Sequence, residues 1–373
     1  MSRRIALIAG TLLLVGAAYA QPYVSVGGRF QVDQIKGCAP FTVTLTNLLA
    51  GNCNAANPCS MDYEGNGNQS LNLFAFQYPN PGVYRLRVLY QGQGADEITI
   101  TVVENIQPDF EIYSCANSDV TIKVLEKKYQ QLVIDFTNDG IPETIIPSGN
   151  NATAFHDYAT PGNKSISVRG LNLNSADNCS SKVQTFDALA SVPAPTINTL
   201  TTLDESNIQL DFTTQPHIQY RLEVAVNSAG PFQLLQTMYE PTTFTATGLK
   251  TEENFYCFRL SAYDACNGFN NYSNVICSPK FNLSIESGVN KLTWATASTG
   301  IQSIEIQRDN NPYTIIPGAP SSFNDVDIDC KTNYCYRIIN SYAGGVRSSS
   351  LQYCGESFKI DSPPAIVNAS AMV

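Results

Sequence analysis

Eleven cysteines are the residues of this 373-residue chain best suited to covalent chemistry, and their spacing favours disulfides over metal. No paired Cys-x-x-Cys spacing supplies a zinc site. Cys257 and Cys277 stand at equal distances from Asn267, and Cys335 and Cys354 flank Gly344-Gly345 almost symmetrically. Each pair is expected to close as a cross-strand bond of an antiparallel hairpin. Cys115 is expected to bond Cys179, tying the start of one repeated segment to its end, and Cys53 is expected to bond Cys59 within an inserted loop. Cys38 has no assigned partner. Cys266 and Cys330 are left over, open either to pairing with another chain or to remaining as buried or modified thiols.

Other chemistries find little support. There are two histidines, His156 and His217, and neither Gly-x-Ser-x-Gly nor His-Glu-x-x-His occurs, so a hydrolytic triad or zinc protease is not expected. No catalytic residue, metal site or cofactor is nominated. The run Asn324-Asp325-Val326-Asp327-Ile328-Asp329 could share carboxylates around calcium, but it lacks the glycine and terminal glutamate of a calcium loop. It reads instead as a strand with a wet aspartate face and a dry aliphatic face. Asp135, Asn138 and Asp139 read as turn-capping side chains, with calcium as the alternative.

These residues sit in a chain that repeats itself. Cys38 and Cys115 each precede a strand-like triplet by five residues, Val43-Thr44-Leu45 and Val120-Thr121-Ile122. Each copy then carries an Asp-aromatic turn ending in glycine, Asp62 to Gly67 and Asp135 to Gly140, and a Tyr-x-x-Pro-Gly segment, Tyr78 to Gly82 and Tyr158 to Gly162. A second pair of repeats is marked by Tyr256-Cys257-Phe258-Arg259-Leu260 and Tyr334-Cys335-Tyr336-Arg337-Ile338. Helical periodicity is nearly absent, while short alternating runs bounded by Gly, Pro and Asn recur, as at 42–45, 84–89, 97–103, 120–124, 208–212 and 301–307. The expected fold is all-β, a tandem array of four immunoglobulin-like β-sandwich domains. Proline-marked boundaries at Gln107-Pro108, Val192-Pro193-Ala194-Pro195 and Ser278-Pro279 give modules at 21–106, 107–191, 192–278 and 279–360. Residues 361–373 read as a linker or the start of a further module.

Arg3 and Arg4, the apolar run Ile5 to Val15 and the small-x-small Ala18-Tyr19-Ala20 read as a signal peptide over residues 1–20. Without those arginines, 20 basic residues face 32 acidic ones, which repels phosphate backbones and excludes nucleic acid as a natural partner. No later stretch approaches the roughly 18 apolar residues of a spanning helix. The expected product is exported, at the cell surface or extracellular. Within Tyr256 to Ala262, alternation places Tyr256, Phe258, Leu260 and Ala262 in the core and turns Cys257, Arg259 and Ser261 outward.

Residues 24–106 and 107–191 resemble the PKD-type repeat of surface proteins. Met61-Asp62-Tyr63-Glu64-Gly65-Asn66-Gly67 and Ile134-Asp135-Phe136-Thr137-Asn138-Asp139-Gly140 stand for its aromatic-Asp-Gly turn, without the family's Trp. His156-Asp157-Tyr158-Ala159-Thr160-Pro161-Gly162 stands for its second motif, and the corresponding Phe76 to Gly82 lacks the His. Residues 193–278 and 279–360 resemble fibronectin type III modules, through Lys291-Leu292-Thr293-Trp294 and through Tyr256 as the family's corner tyrosine. Leu210 and Phe212 occupy the place of the Trp in the first of them. The combination resembles exported proteins of gliding Bacteroidota that use type IX secretion. That resemblance implies a non-catalytic structural or adhesive surface protein, associated with gliding motility, with surface polysaccharide or other envelope proteins as partners. The alternatives are a carbohydrate-binding accessory module and a subunit of an envelope secretion or motility complex. Ser362-Pro363-Pro364-Ala365-Ile366-Val367 repeats the onset Val192 to Ile197, so a longer product with further modules and a sorting domain is expected.

Overall fold

The computed structural model describes residues 22–150 and 152–360. The expected signal peptide and the repeat-like ending lie outside the described residues. Among the described residues the regular elements are strands and three short 3-10 turns. The described residues fall into two compact units, one of residues 22–109, 125–150, 152 and 166–183 and the other of residues 110–124, 153–165 and 184–360.

In the first unit, Phe41–Asn47 shows how sequence becomes fold. Phe41, Val43 and Leu45 point into the core while Thr42, Thr44 and Thr46 face solvent. β-branched residues alternating in this way suit a half-buried pleat. The strand belongs to a sheet ordered Tyr23–Val24, Phe30–Val32, Phe41–Asn47, Ala75–Tyr78. A second sheet runs Lys36–Cys38, Gly94–Val103, Gly82–Tyr90, Cys59–Asp62, Ser70–Leu71, and its first pair is parallel. Phe30, Val32, Val43, Met61, Tyr78, Leu86, Val88 and Ile100 are fully buried between them. At full burial each such side chain contributes about 1.5–3 kcal/mol.

Residues 107–191 carry a three-stranded sheet, Phe110–Ser114, Asp119–Val124, Thr153–Asp157, and a four-stranded sheet, Thr144–Pro147, Gln131–Asp135, Gly162–Leu171, Lys182–Ala188. The turns that follow Asp62 and Asp135 need backbone in the left-handed region, supplied by Gly65 and Gly67 in one and Asn138 and Gly140 in the other.

In the second unit, residues 196–277 and 280–356 repeat one topology. Each places its first, second and fifth strands in one sheet and its third, fourth, sixth, seventh and last strands in another. The corner tyrosines behave alike: the Tyr256 hydroxyl accepts the Lys250 amide at 2.8 Å, and the Tyr334 hydroxyl accepts the Asp329 amide at 3.1 Å. Tyr256, Phe258, Leu260 and Ala262 lie in one core, and Trp294 lies in the other with Leu292, Ile304 and Tyr336.

Those two modules are not joined merely by a linker. Thr196–Thr202 pairs in parallel with Arg347–Ser349, through Thr199 with Arg347, Leu200 with Ser348 and Thr201 with Ser349. The result is one eight-stranded sheet spanning both modules. Each strand would otherwise present unpaired backbone donors and acceptors at a sandwich edge, and pairing the two edges satisfies both.

The expected outward Cys257 needs correction. It does leave the main core, but it is fully buried, because Phe232, Phe255 and Ala297 cover the Cys257–Cys277 bond from outside. The expected wet and dry faces of the acidic run hold at Asp327, Ile328 and Asp329 and are reversed at its start. Asp325 is fully buried and Val326 is 72 % exposed. Asp325 goes inside because donors await it there: Arg308 at 3.0 Å, the hydroxyls of Tyr336 and Tyr313 at 2.7 and 2.9 Å, and the Asp327 amide at 3.0 Å. A buried carboxylate is tolerable only when paired and hydrogen-bonded in this way.

Candidate functional site

The cysteines organise the candidate site, which is a set of junctions. Cys53 and Cys59 are bonded across the inserted loop, Cys257 with Cys277 and Cys335 with Cys354 across hairpins, at Cα separations of 4.6, 3.9 and 4.0 Å. The hairpin bonds join register partners directly opposite each other. The Cys115–Cys179 bond is absent. Cys179 is bonded to Cys38, 141 residues earlier, and Cys115 to Cys266, 151 residues later. Cys330 is the free cysteine and is exposed.

Polar contacts in the first unit gather around Cys38–Cys179. Lys36 forms an ion pair with Asp177 at 2.5 Å, and the Ser180 amide and hydroxyl both reach the Asn105 side chain, at 3.1 and 2.8 Å. The Tyr129 hydroxyl donates to the Ile106 carbonyl. These contacts place the Lys36–Cys38 strand and the 172–181 segment in one fixed arrangement, closed by a covalent bond.

In the second unit, Asp264 is the organiser beside Cys115–Cys266. Its carboxylate is 3 % exposed and accepts the amides of Ala116, Cys266 and Asn267 at 3.0–3.1 Å. Nearby, the Tyr239 hydroxyl donates to the Ile112 carbonyl at 3.1 Å, and the Ser114 amide donates to the His217 carbonyl at 2.6 Å. Cys115, Asp264 and Cys266 are close enough to resemble a metal triad, but both sulfurs are consumed by the disulfide. Asp119, facing Asp157 across the ladder, has its carboxyl pushed up by burial and by the neighbouring carboxylates of Asp157 and Asp264.

His217 directs its Nδ1 at the Tyr239 hydroxyl, 3.0 Å away, and at Glu240, 3.2 Å away. His156 packs edge-on against Tyr158. The two turn aspartates are occupied by their own turns. Asp62 accepts the amides of Gly65, Asn66 and Gly67 at 2.8, 3.2 and 3.0 Å, and Asp135 accepts those of Asp139 and Gly140 at 3.3 and 2.8 Å. A hollow of about 660 Å³ opens where the parallel strand pair ends and is lined by Asp204, Glu205, Glu252, Gln352 and Tyr353.

Asp96 has the clearest pH signature. Burial works to raise its carboxyl, and hydrogen bonds from Ser25 and from the amides of Arg29, Gly27 and Glu97 outweigh that, so its pKa falls below the ordinary carboxylate value. A carboxyl more acidic folded than unfolded stabilises above the unfolded value near 3.9, and the contribution disappears as pH falls through the lower folded value. Asp96→Asn should therefore flatten the acid limb of stability below about pH 4. Urea titrations from pH 7 to pH 2 test this, and an unchanged acid slope would refute it.

No protein-family model matches the chain, and no curated protein matches it. Among solved structures it is similar to the FN1–FN3 domains of chicken CNTN1, at 14% identity over 69% of this chain and 98% of that one, with a TM-score of 0.29. It is also similar to a two-domain fibronectin type III segment of chicken tenascin, at 17% identity over 44% of this chain and 100% of that one, TM-score 0.20. The central fibronectin-III array of RIM-binding protein is a third, at 15% identity over 68% and 99%, TM-score 0.20. The assignment of tandem β-sandwiches therefore rests on this chain's own strand order.

Sequence reasoning singled out neither Asp264 nor the pairing of Arg308 with Asp325. The aspartate in Tyr263-Asp264-Ala265-Cys266-Asn267-Gly268 carries the mark of a turn-capping residue, which was the available signal.

Proposed function

We propose that this is a non-catalytic, exported structural and adhesive protein whose modules are fixed to one another to hold their loop ends and sheet faces in set positions at a cell surface. The observation that carries the reading is the way segments distant in sequence are clamped, by Cys38–Cys179 in one unit and by Cys115–Cys266 and the shared eight-stranded sheet in the other. Catalysis needs a preorganised set of reacting groups, whereas the polar clusters here serve turns and junctions. The PKD-type motifs and the signal-like start favour a surface protein of the gliding, type IX-secreting kind, with polysaccharide or envelope proteins as partners. Weak contacts gain avidity when many copies are displayed together.

The test is attachment. Beads carrying the mature chain should adhere to polysaccharide-coated surfaces more strongly than beads carrying a chain reduced and alkylated at its disulfides, and the free chain at equal mass should bind weakly. Equal adhesion by native and reduced chains would refute the role given to the clamps, and no adhesion by either would refute the adhesive role. The exposed Cys330 favours a second reading as a subunit bonded to another envelope chain. Non-reducing electrophoresis of the protein from its native cells separates the two, since only the second gives a thiol-sensitive heavier band.

A further inference from the structure

Asp135 and Arg169 stand on the same face of the four-stranded sheet of residues 107–191. Asp135 pairs with Ser167 across the ladder, and Val133 pairs with Arg169. Together with the turn after Asp135 and with Ser181 they bound a hollow of about 250 Å³, lined by Val133, Asp135, Pro142, Ser167, Arg169 and Ser181. Its floor includes a carboxylate that is 8 % exposed, and its wall carries a guanidinium that is exposed.

The two copies of the repeat differ at this face. In the first, Arg85 and Arg87 both lie against Glu97, at 3.7 and 3.5 Å. In the second, the Arg169 side chain has no hydrogen bond, ion pair or aromatic partner among the described residues. A chain with 32 acidic and 22 basic residues has carboxylates to spare, so a guanidinium left unpaired above a hollow needs a different account.

We propose that this hollow is a subsite for an acidic sugar, a uronic acid residue of a polysaccharide. Arg169 takes the sugar carboxylate through the paired N–H groups that make arginine the side chain of choice for planar oxyanions. Asp135, whose Oδ1 is taken by Thr137 and the Asp139 amide, accepts from a ring hydroxyl through the second lone pair of Oδ2, the first being held by the Gly140 amide. Ser167 and Ser181 supply further hydroxyls, and Val133 and Pro142 give an apolar patch for the sugar's C–H face. The hollow is smaller than the roughly 300–1,000 Å³ of drug-sized sites, which suits a single sugar ring. The proposal rests on the adhesive reading in naming a polysaccharide, but the subsite stands on its own geometry.

The experiment is calorimetric titration of the mature chain with oligogalacturonate, its methyl-esterified form and a sulfated neutral oligosaccharide. Binding of the free acid, with about tenfold weakening in Arg169→Gln and partial recovery in Arg169→Lys, is the expected result, given the strength of hydrogen bonds to charged groups. Ser181→Ala should weaken binding less, and an unchanged circular dichroism spectrum in each variant separates loss of the site from loss of the fold. Equal binding of the methyl ester, equal affinity in Arg169→Gln, preference for the sulfated sugar, or no binding by any of the three overturns the subsite. Bead adhesion that persists in Arg169→Gln leaves the adhesive reading standing while the subsite fails.

Discussion

Replacing Asp325 by alanine should destabilise the last module by about 3–5 kcal/mol, because it leaves the Arg308 guanidinium without its buried partner. Arg308 is caged between the rings of Tyr313 and Tyr334, at 3.9 and 5.0 Å, so it cannot simply swing into water. The Tyr336 hydroxyl, whose proton burial and the adjacent carboxylate hold on to, would also lose its acceptor. The readout is direct, since the chain has a single tryptophan and Trp294 packs in that same core. Urea unfolding followed by its fluorescence should show the loss. A double change, Asp325→Leu with Arg308→Met, should recover much of it, since an apolar pair removes the uncompensated charge. A loss of under about 1 kcal/mol for Asp325→Ala would mean the network is solvated and not structural.

The second large effect concerns the long-range bonds. Non-reducing peptide mapping should recover Cys38 with Cys179 and Cys115 with Cys266, and finding Cys115 joined to Cys179 would overturn the arrangement. Changing both Cys115 and Cys266 to alanine should cost about 5 kcal/mol in the chain-entropy account, where closing a loop of this length restricts the unfolded chain more than closing a hairpin does. The matching change at Cys257 and Cys277 closes a loop of 20 residues and should cost about 3 kcal/mol. Calorimetry of the two variants compares them directly, and equal effects would show that loop length does not govern the stabilisation.

The contrast between these bonds also marks what was legible in the sequence. Cys257–Cys277 and Cys335–Cys354 could be read because hairpin register is local: symmetric spacing about a turn puts two residues opposite each other. Cys115–Cys266 could not, because its partners meet only when two sandwiches have docked, and docking depends on surfaces and not on spacing. The repeat itself misled at Cys179, since two modules that look alike suggested a bond inside one of them. Asp325 defeated alternation for a similar reason. A period of two assigns faces, but which face is dry depends on whether Arg308 and Tyr336, from other strands, wait there with donors. The β-sandwich strands and the corner tyrosines were legible because turn residues and apolar alternation are local. Arg169 gave no signal, since an arginine on a strand looks the same in sequence whether or not a neighbour pairs with it.

The order of the bonded cysteines has a mechanical meaning. The loops closed by Cys38–Cys179, Cys115–Cys266 and Cys257–Cys277 overlap one after another along the sequence. Tension applied at the two ends must cross each bond in turn. Even with every strand pulled apart, the span from Cys38 to Cys277 could lengthen to only about 250 Å, where an unbridged chain would reach about 800 Å. A cut at any single peptide bond in that span would leave the two parts joined. Under tension the span from Cys38 to Cys277 therefore has a built-in stop, and its reach is set by which cysteines are paired and not by how firmly each sandwich folds.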